Sequence, residues 1–338
     1  MRARDGRGSR SASFEARPNI ALVKYWGMRD RSLGLPYNSS LSVTLDRLRT
    51  RTRVRFDPAL GADRVVLNGQ EAGGGPREGV VRFLDRVRQA AGETSAAEVE
   101  SDNNFPTASG MASSASGFAA LAGAASRAAG LRLSPRALSQ LARFGSGSAA
   151  RSVFGGFVEW RAGRRADGAD CYARPLFGPR HWPELVDLVV LVRGAPVKEV
   201  RSMEAMQWTV ATSPEYSRRL AEVPPRLAGI RAAIARRDPD RLFPLIMEEC
   251  DSFRSVCETT RPSLDYLTVT SRAVLTEVRA FNRERGRPRA AYTHDAGAHV
   301  HVFTLRREAG PLRARLARVP GVESMTLLPP GPAARPLP

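Results

Sequence analysis

The chain has 338 residues, of which 42% are hydrophobic and 25% charged, an ordinary globular composition with room for two domains at ~100–200 residues each. No apolar stretch approaches the ~20 residues that span a bilayer, and three cysteines without a CxxC pair argue against a disulfide framework or a four-ligand zinc site. The net charge of +18 comes from 52 basic residues, all arginine except Lys24 and Lys198. That arginine is scattered along the chain with Ala, Gly and Pro, without zinc-finger spacing or interleaved aromatics. It reads as compositional bias, so no nucleic-acid partner is expected and anionic small molecules are.

Residues 1–13 (MRARDGRGSRSAS) are basic and Ser-rich without the apolar core of a secretory signal, so a disordered tail and a cytoplasmic protein are expected. An N-terminal domain follows over 14–186. Short strands are predicted at Arg53–Phe56 and Arg64–Asn68 around a Pro/Gly turn. Val80, Val81, Phe83, Leu84 and Val87 recur at helical spacing, which predicts a helix over Gly79–Ala91. Met111–Ala129 is Ala-rich and helical, with Gly130 placed to end it. The boundary is set near Trp182–Leu188, and the second domain, 187–328, opens with the buried-type strand Leu188–Val192. Helices are predicted near Arg226–Arg236, Pro239–Cys257 and Ser263–Arg285, then a last strand at Val300–Leu305. The Pro-rich end, 329–338, is predicted to be disordered. The mixture is an α+β protein.

Four segments carry chemistry. NNFPTASGMASSASGFA (103–119) puts Gly and small hydroxyl residues ahead of an Ala-rich helix, and a helix start with unpaired N–H groups is an anion site. RPNIALVKYWGMRDRSLGLPYNSSLSVTL (17–45) has a strand-like NIALVKYW carrying Lys24 and Tyr25, then a polar loop leading into NSSLSVTL. GSGSAARSVFGGFVEW (145–160) is a donor-rich loop followed by Arg151, and YTHDAGAHVHV (292–302) sets Asp295 in a turn before a strand. Taken singly, each has a bland explanation: a cap, a turn former, a solvated charge. His294, His299 and His301 show no metal-site spacing on one face and read as strand or cleft residues.

In this order, the four segments resemble the mevalonate diphosphate decarboxylases of the GHMP kinase superfamily, over roughly residues 17–303. The resemblance implies a ribosomal-protein-S5-like N-terminal domain, a ferredoxin-like C-terminal domain, an active site in the cleft between them, and homodimers. It implies that ATP with Mg2+ phosphorylates the 3-hydroxyl of mevalonate 5-diphosphate, and that phosphate and carbon dioxide then leave together. Asp295 matches the catalytic aspartate, Lys24 the lysine beside it, and Arg151 the clamp on the substrate carboxylate. Ser109, Gly110, Ala112, Ser113 and Ser114 fall in the ATP phosphate loop, with Ser113 or Ser114 a candidate for Mg2+. Tyr25, Ser146, Gly147, Ser148 and Ser202 match positions lining the substrate. The alternative is a kinase of the same fold that phosphorylates without decarboxylating.

The resemblance breaks at one end of the substrate. Met28 stands where the family has a lysine on the 5-diphosphate, and Met203 where members have arginine or threonine. Ala205 replaces a glycine, Arg261-Pro262-Ser263 replaces an FPP-like run, and Gly297-Ala298-His299 replaces GPN. A thioether cannot neutralise a diphosphate. Compensation from Arg29, Arg201 or Arg261 is expected, or a substrate with a monophosphate or different tail.

Overall fold

The computed structural model describes residues 3–4, 10–105, 113–195 and 200–338. Thr50–Asp57 shows how its first sheet is built. Thr50, Thr52, Val54 and Phe56 are buried, while Arg51 and Arg53 are exposed, the period of two that gives a strand one wet face. It lies between Arg10–Ala16 and Ala96–Asn103, and Arg64–Leu67 pairs parallel to the latter. Helices Gly74–Ala91 and Ser113–Ala128 cover the inner face. The buried residues of the second helix are all Ala, Gly and Ser except Leu121, which lets it approach closely. A Cβ on Gly123 would lie 2.4 Å from the Phe14 ring.

A second sheet runs Ala173–Phe177, Phe157–Trp160, Ser40–Thr44, Asn19–Val23. A third runs Ala290–Thr293, Val300–Leu305, Leu185–Val192, Val322–Leu328. Between them pack helices Tyr216–Arg236 and Pro239–Glu258. One core joins Ile20, Leu22 and Val43 of the second sheet to Val189, Ala291 and Phe303 of the third through Ile230, Ile234 and Ile246. The ends of Asn19–Val23 and Ala290–Thr293 are thereby held at the same place.

Several elements differ from the sequence reading. The helix expected from Gly79 starts at Gly74, and the one expected from Ser263 starts at Val269, where Thr268 and Ser271 form a reciprocal cap. Helices Pro135–Ala142, Ser202–Thr212 and Arg306–Leu316 and strand Val322–Leu328 were not foreseen. The position 186/187 falls inside strand Leu185–Val192.

Both expected disordered tails need correction where they are described; residues 1–2 and 5–9 of the first lie outside the described residues. Residues 10–13 open the Arg10–Ala16 strand, and Arg335–Leu337 pairs antiparallel with Ser13–Glu15. Gly331 donates its N–H to the Thr44 carbonyl at 2.7 Å, and Arg335 reaches Glu15 at 3.4 Å. Composition misled here because Pro is well tolerated on a sheet edge, and the buried Glu15 carboxylate, ringed by Arg17, Arg51 and Arg335, gives the tail an anchor.

Candidate active site

All five residues of Asn19–Val23 are buried, and Lys24 follows directly. Its backbone is pinned on both sides. The Lys24 N–H donates to Glu249 Oε1 at 2.9 Å, and its carbonyl accepts from Asn38 Nδ2 at 2.9 Å and Arg219 Nη2 at 3.3 Å. Glu249 and Arg219 are themselves buried and paired, and Arg226 adds a second guanidinium to Glu249 at 2.8 Å. A buried carboxylate is tolerated only with such pairing. Its location fixes where Lys24 leaves the strand.

From there Lys24 Nζ, 4% exposed, meets Asp295 Oδ1 at 2.7 Å. Asp295 lies just beyond Ala290–Thr293, in a turn where Gly297 donates to the Asp295 carbonyl at 2.7 Å. The buried His294 ring packs on Phe253 and pairs its Nδ1 with the same carbonyl. Burial pushes the Asp295 carboxyl up, but the charge and hydrogen bond of Lys24, then His301 and Arg151, hold it below the usual carboxylate range. His294 is driven down to about 4, chiefly by burial.

Arg151 ends the short helix Ala149–Ser152 and is 2% exposed. Its Nε donates to Asn19 Oδ1 at 3.1 Å and Nη1 to Ser40 Oγ at 2.6 Å. Asn19 in turn donates to the Ser148 carbonyl and to Ser152 Oγ. Burial brings the guanidinium down to about 10, against the opposing effect of Tyr25 and Asp295. No carboxylate lies within ion-pair distance of Arg151 among the described residues, and Nη2 has no partner there. The result is a buried cation with one edge open toward the cleft, a geometry suited to a carboxylate.

Tyr25 stands edge-on to Trp160, with centroids 4.9 Å apart, and burial pushes its hydroxyl up to about 12. Gly147 sits beneath it, where a Cβ would come within 2.8 Å of both rings. Ser146 Oγ lies 3.1 Å from Ser148 Oγ and 3.4 Å from Ser114 Oγ, so two of the segments share a hydroxyl-lined wall. Gly145 is needed for that wall, since a Cβ there would meet Phe118 at 2.0 Å.

These groups face a single cleft of about 1170 Å3. It brings together Lys24, Tyr25, Ser113, Ser114, Ser146, Gly147, Ser148, Arg151, Ser202 and Asp295. Ser109, Gly110 and Ala112 lie outside the described residues. Met28 and Met203 also line it, as does Arg201, but Arg29 and Arg261 do not. Arg29 is turned instead to the carbonyls of Ala162 and Arg165. Sequence reasoning missed Arg31 in the cleft wall, the Asn19–Ser40 hold on Arg151, and the Glu249–Arg219 lock on Lys24. Among the described residues, no group of three or more His, Cys, Asp or Glu is placed to hold a metal. His301 pairs instead with Asp187 at 2.6 Å, and His299 accepts from the Val192 N–H. Nor is any helix there long and apolar enough to cross a membrane.

Comparison with known proteins places this geometry. Residues 16–173 match the diphosphomevalonate decarboxylase-like N-terminal domain, and residues 188–326 the mevalonate 5-diphosphate decarboxylase C-terminal domain. The diphosphomevalonate decarboxylase of Bos taurus is 43% identical over 303 residues, 85% of this chain and 75% of its own. The crystal structure of mevalonate diphosphate decarboxylase from Staphylococcus aureus is 35% identical with a TM-score of 0.91, covering 98% of each chain. A solved complex with MVAPP, AMPPCP and magnesium is 37% identical with a TM-score of 0.91, over 97% of this chain and 99% of the other.

Proposed function

The chain belongs to the diphosphomevalonate decarboxylase family and has its two-domain GHMP kinase fold, and from that premise we infer an ATP-dependent decarboxylase acting on mevalonate 5-diphosphate. The observation that carries the reading to residues is the Lys24–Asp295 pair lining one cleft with buried Arg151, whose Nε and Nη1 are held by Asn19 and Ser40. The similar complex holding MVAPP, AMPPCP and magnesium supports ATP and Mg2+ as the co-substrate and metal. Dimerisation and a cytoplasmic location belong to the same reading, supported by the family resemblance, and the scattered arginine supports the absence of a nucleic-acid partner.

In this reading Asp295, held ionised by Lys24, accepts the 3-hydroxyl proton as the oxygen attacks the γ-phosphoryl group of ATP. Lys24 stabilises charge growing on the transferring group. Arg151 takes the carboxylate in its open edge and, being desolvated already, needs no reorganisation to do so. The new bond is between the 3-hydroxyl oxygen and phosphorus, and ADP leaves as it forms. When the C3–O bond then breaks, phosphate departs with its electron pair, the electron pair of the C–COO− bond becomes the double bond of the product, and carbon dioxide leaves. The hydroxyls of Ser113, Ser114, Ser146 and Ser148 suit the phosphate chain. Ser113 or Ser114 would be the residue to hold the metal. Mg2+, when bound, would supply neutralisation of phosphate charge.

The test is to quantify ADP and carbon dioxide together, with ATP and mevalonate 5-diphosphate as substrates. Equal yields are expected. ADP without carbon dioxide overturns the reading and leaves a kinase.

A further inference from the structure

The cleft has a second end, away from Asp295. Hairpin strands Met28–Asp30 and Leu35–Pro36 face helix Ser202–Thr212, on which Met203, Met206, Gln207 and Val210 fall on one side at helical spacing. Between them lies a groove of about 310 Å3, lined by those four residues with Met28, Arg31 and Ala211. It is continuous with the catalytic cleft, sharing Met28, Arg31, Met203, Met206 and Gln207 with it. Its base is tightly packed. Gly27 has φ +101°, and a Cβ there would stand 2.8 Å from Val210 and 2.0 Å from the Tyr216 hydroxyl.

Six described cations line the cleft, and four are committed. Lys24 is on Asp295, and Arg151 is held by Asn19 and Ser40. Arg143 is spent on the carbonyls of Leu33, Gly168 and Cys171. Arg82 sits 3.6 Å from Glu78 on its own helix. Arg31 and Arg201 have no side-chain acceptor or carboxylate partner among the described residues. Arg201, at the start of Ser202–Thr212, lays its guanidinium over Gly75, where a Cβ would be 1.5 Å from Nη2. It thus reaches from the C-terminal half of the chain to the first turn of Gly74–Ala91.

We propose that Arg31 and Arg201 are the specificity-determining pair for the anionic tail of the substrate, with Met28 and Met203 as the uncharged wall of that subsite. The proposal rests on the decarboxylase reading. A 3-hydroxy acid with its carboxylate on Arg151 and its hydroxyl at Asp295 leaves its other end to be recognised. A thioether offers that end no counter-charge. Among the described cations of the cleft, charge recognition of a phosphorylated tail therefore falls on the two uncommitted guanidiniums, whose fork geometry matches phosphate oxygens.

Arg31→Gln and Arg201→Gln test this with two acids, mevalonate 5-diphosphate and the tail-less 3-hydroxy-3-methylbutyrate. Each variant is expected to raise KM for the diphosphate by ~10-fold or more with kcat little changed, the signature of lost uniform binding. The ratio of kcat/KM between the two acids should fall by the same factor. Adding Met28→Lys to Arg31→Gln should recover most of the loss. Unchanged KM in both variants, or an equal loss on the tail-less acid, overturns the proposal. Calorimetric titration with mevalonate 5-diphosphate separates it from the reading beneath it. A wild-type chain that binds the diphosphate but releases no carbon dioxide fails the decarboxylase reading. Glutamine variants that bind as tightly as wild type fail the arginine pair.

Discussion

The two ends of the cleft are built on opposite plans. At the reacting end, Lys24 and Arg151 are 4% and 2% exposed and hydrogen-bonded to partners buried in their turn, Glu249 behind one and Asn19 behind the other. At the tail end, Arg31 and Arg201 are exposed, and methionines form the wall. A charge fixed before substrate arrives loses nothing to reorganisation in the transition state, which is what a chemical step rewards. A charge on a free side chain loses rotamer freedom on binding, and it can be reassigned to a neighbouring position without disturbing a core. A tail end built this way accommodates Met28 and Met203 in its wall without disturbing the Lys24–Asp295 pair.

The strongest challenge to this contrast is at Asp295. Asp295→Asn keeps the shape but removes the proton acceptor, and kcat should fall by ~10^2–10^4-fold, measured as carbon dioxide release. A smaller loss would mean that the pair orients the substrate and little more. Next is the support beneath Lys24. Glu249→Gln leaves Arg219 buried with a weakened partner, and a loss of ~3–5 kcal/mol in denaturant unfolding is expected. Arg31→Gln and Arg201→Gln should change unfolding by no more than ~0.5 kcal/mol, as exposed unpaired side chains do. Similar losses at both ends would erase the distinction.

Acid stability gives a finer measure of how dry the reacting end is. His294 titrates near 6.5 when unfolded and at about 4 in the fold. Between those values the unfolded chain binds the extra proton, so stability falls as pH drops from 6.5 toward 4, by ~3 kcal/mol at most. His294→Phe should flatten that part of the pH–stability curve. Asp295 has the opposite dependence on form and the same direction on acid. Its depressed folded pKa gives stability above the unfolded value, lost as pH falls through the folded one. Lys24→Gln should therefore move the acid limb of kcat/KM upward in pH.

What the sequence disclosed follows from range. Lys24, Arg151 and Asp295 each sit inside a short local string whose strand, loop or turn is readable, and the structure brings all three to one cleft. Glu249 and Arg219 lie 225 and 195 positions from Lys24. No local pattern marks them in a chain where nearly every basic residue is arginine, so their pairing is invisible until the helices Tyr216–Arg236 and Pro239–Glu258 are packed. Arg31 was missed because it is one of two arginines, with Arg29, in a short polar stretch. The Ser202–Thr212 helix escaped because its Met, Trp and Ala residues show no clean apolar face.

The pairing of Arg335–Leu337 with Ser13–Glu15 brings the last residues of the chain alongside its first long strand. Residues 13–15 and 335–337 are thus neighbours, in a sheet that contains neither Asn19–Val23 nor Ala290–Thr293. A short linker joining them would allow a circularly permuted chain to be opened at an exposed turn such as the one around Gly61, while the order of catalytic segments along the sheets stayed intact. A rigid insertion placed directly after Leu337 would instead pull on the Arg335–Leu337 strand, which pairs only with Arg10–Ala16.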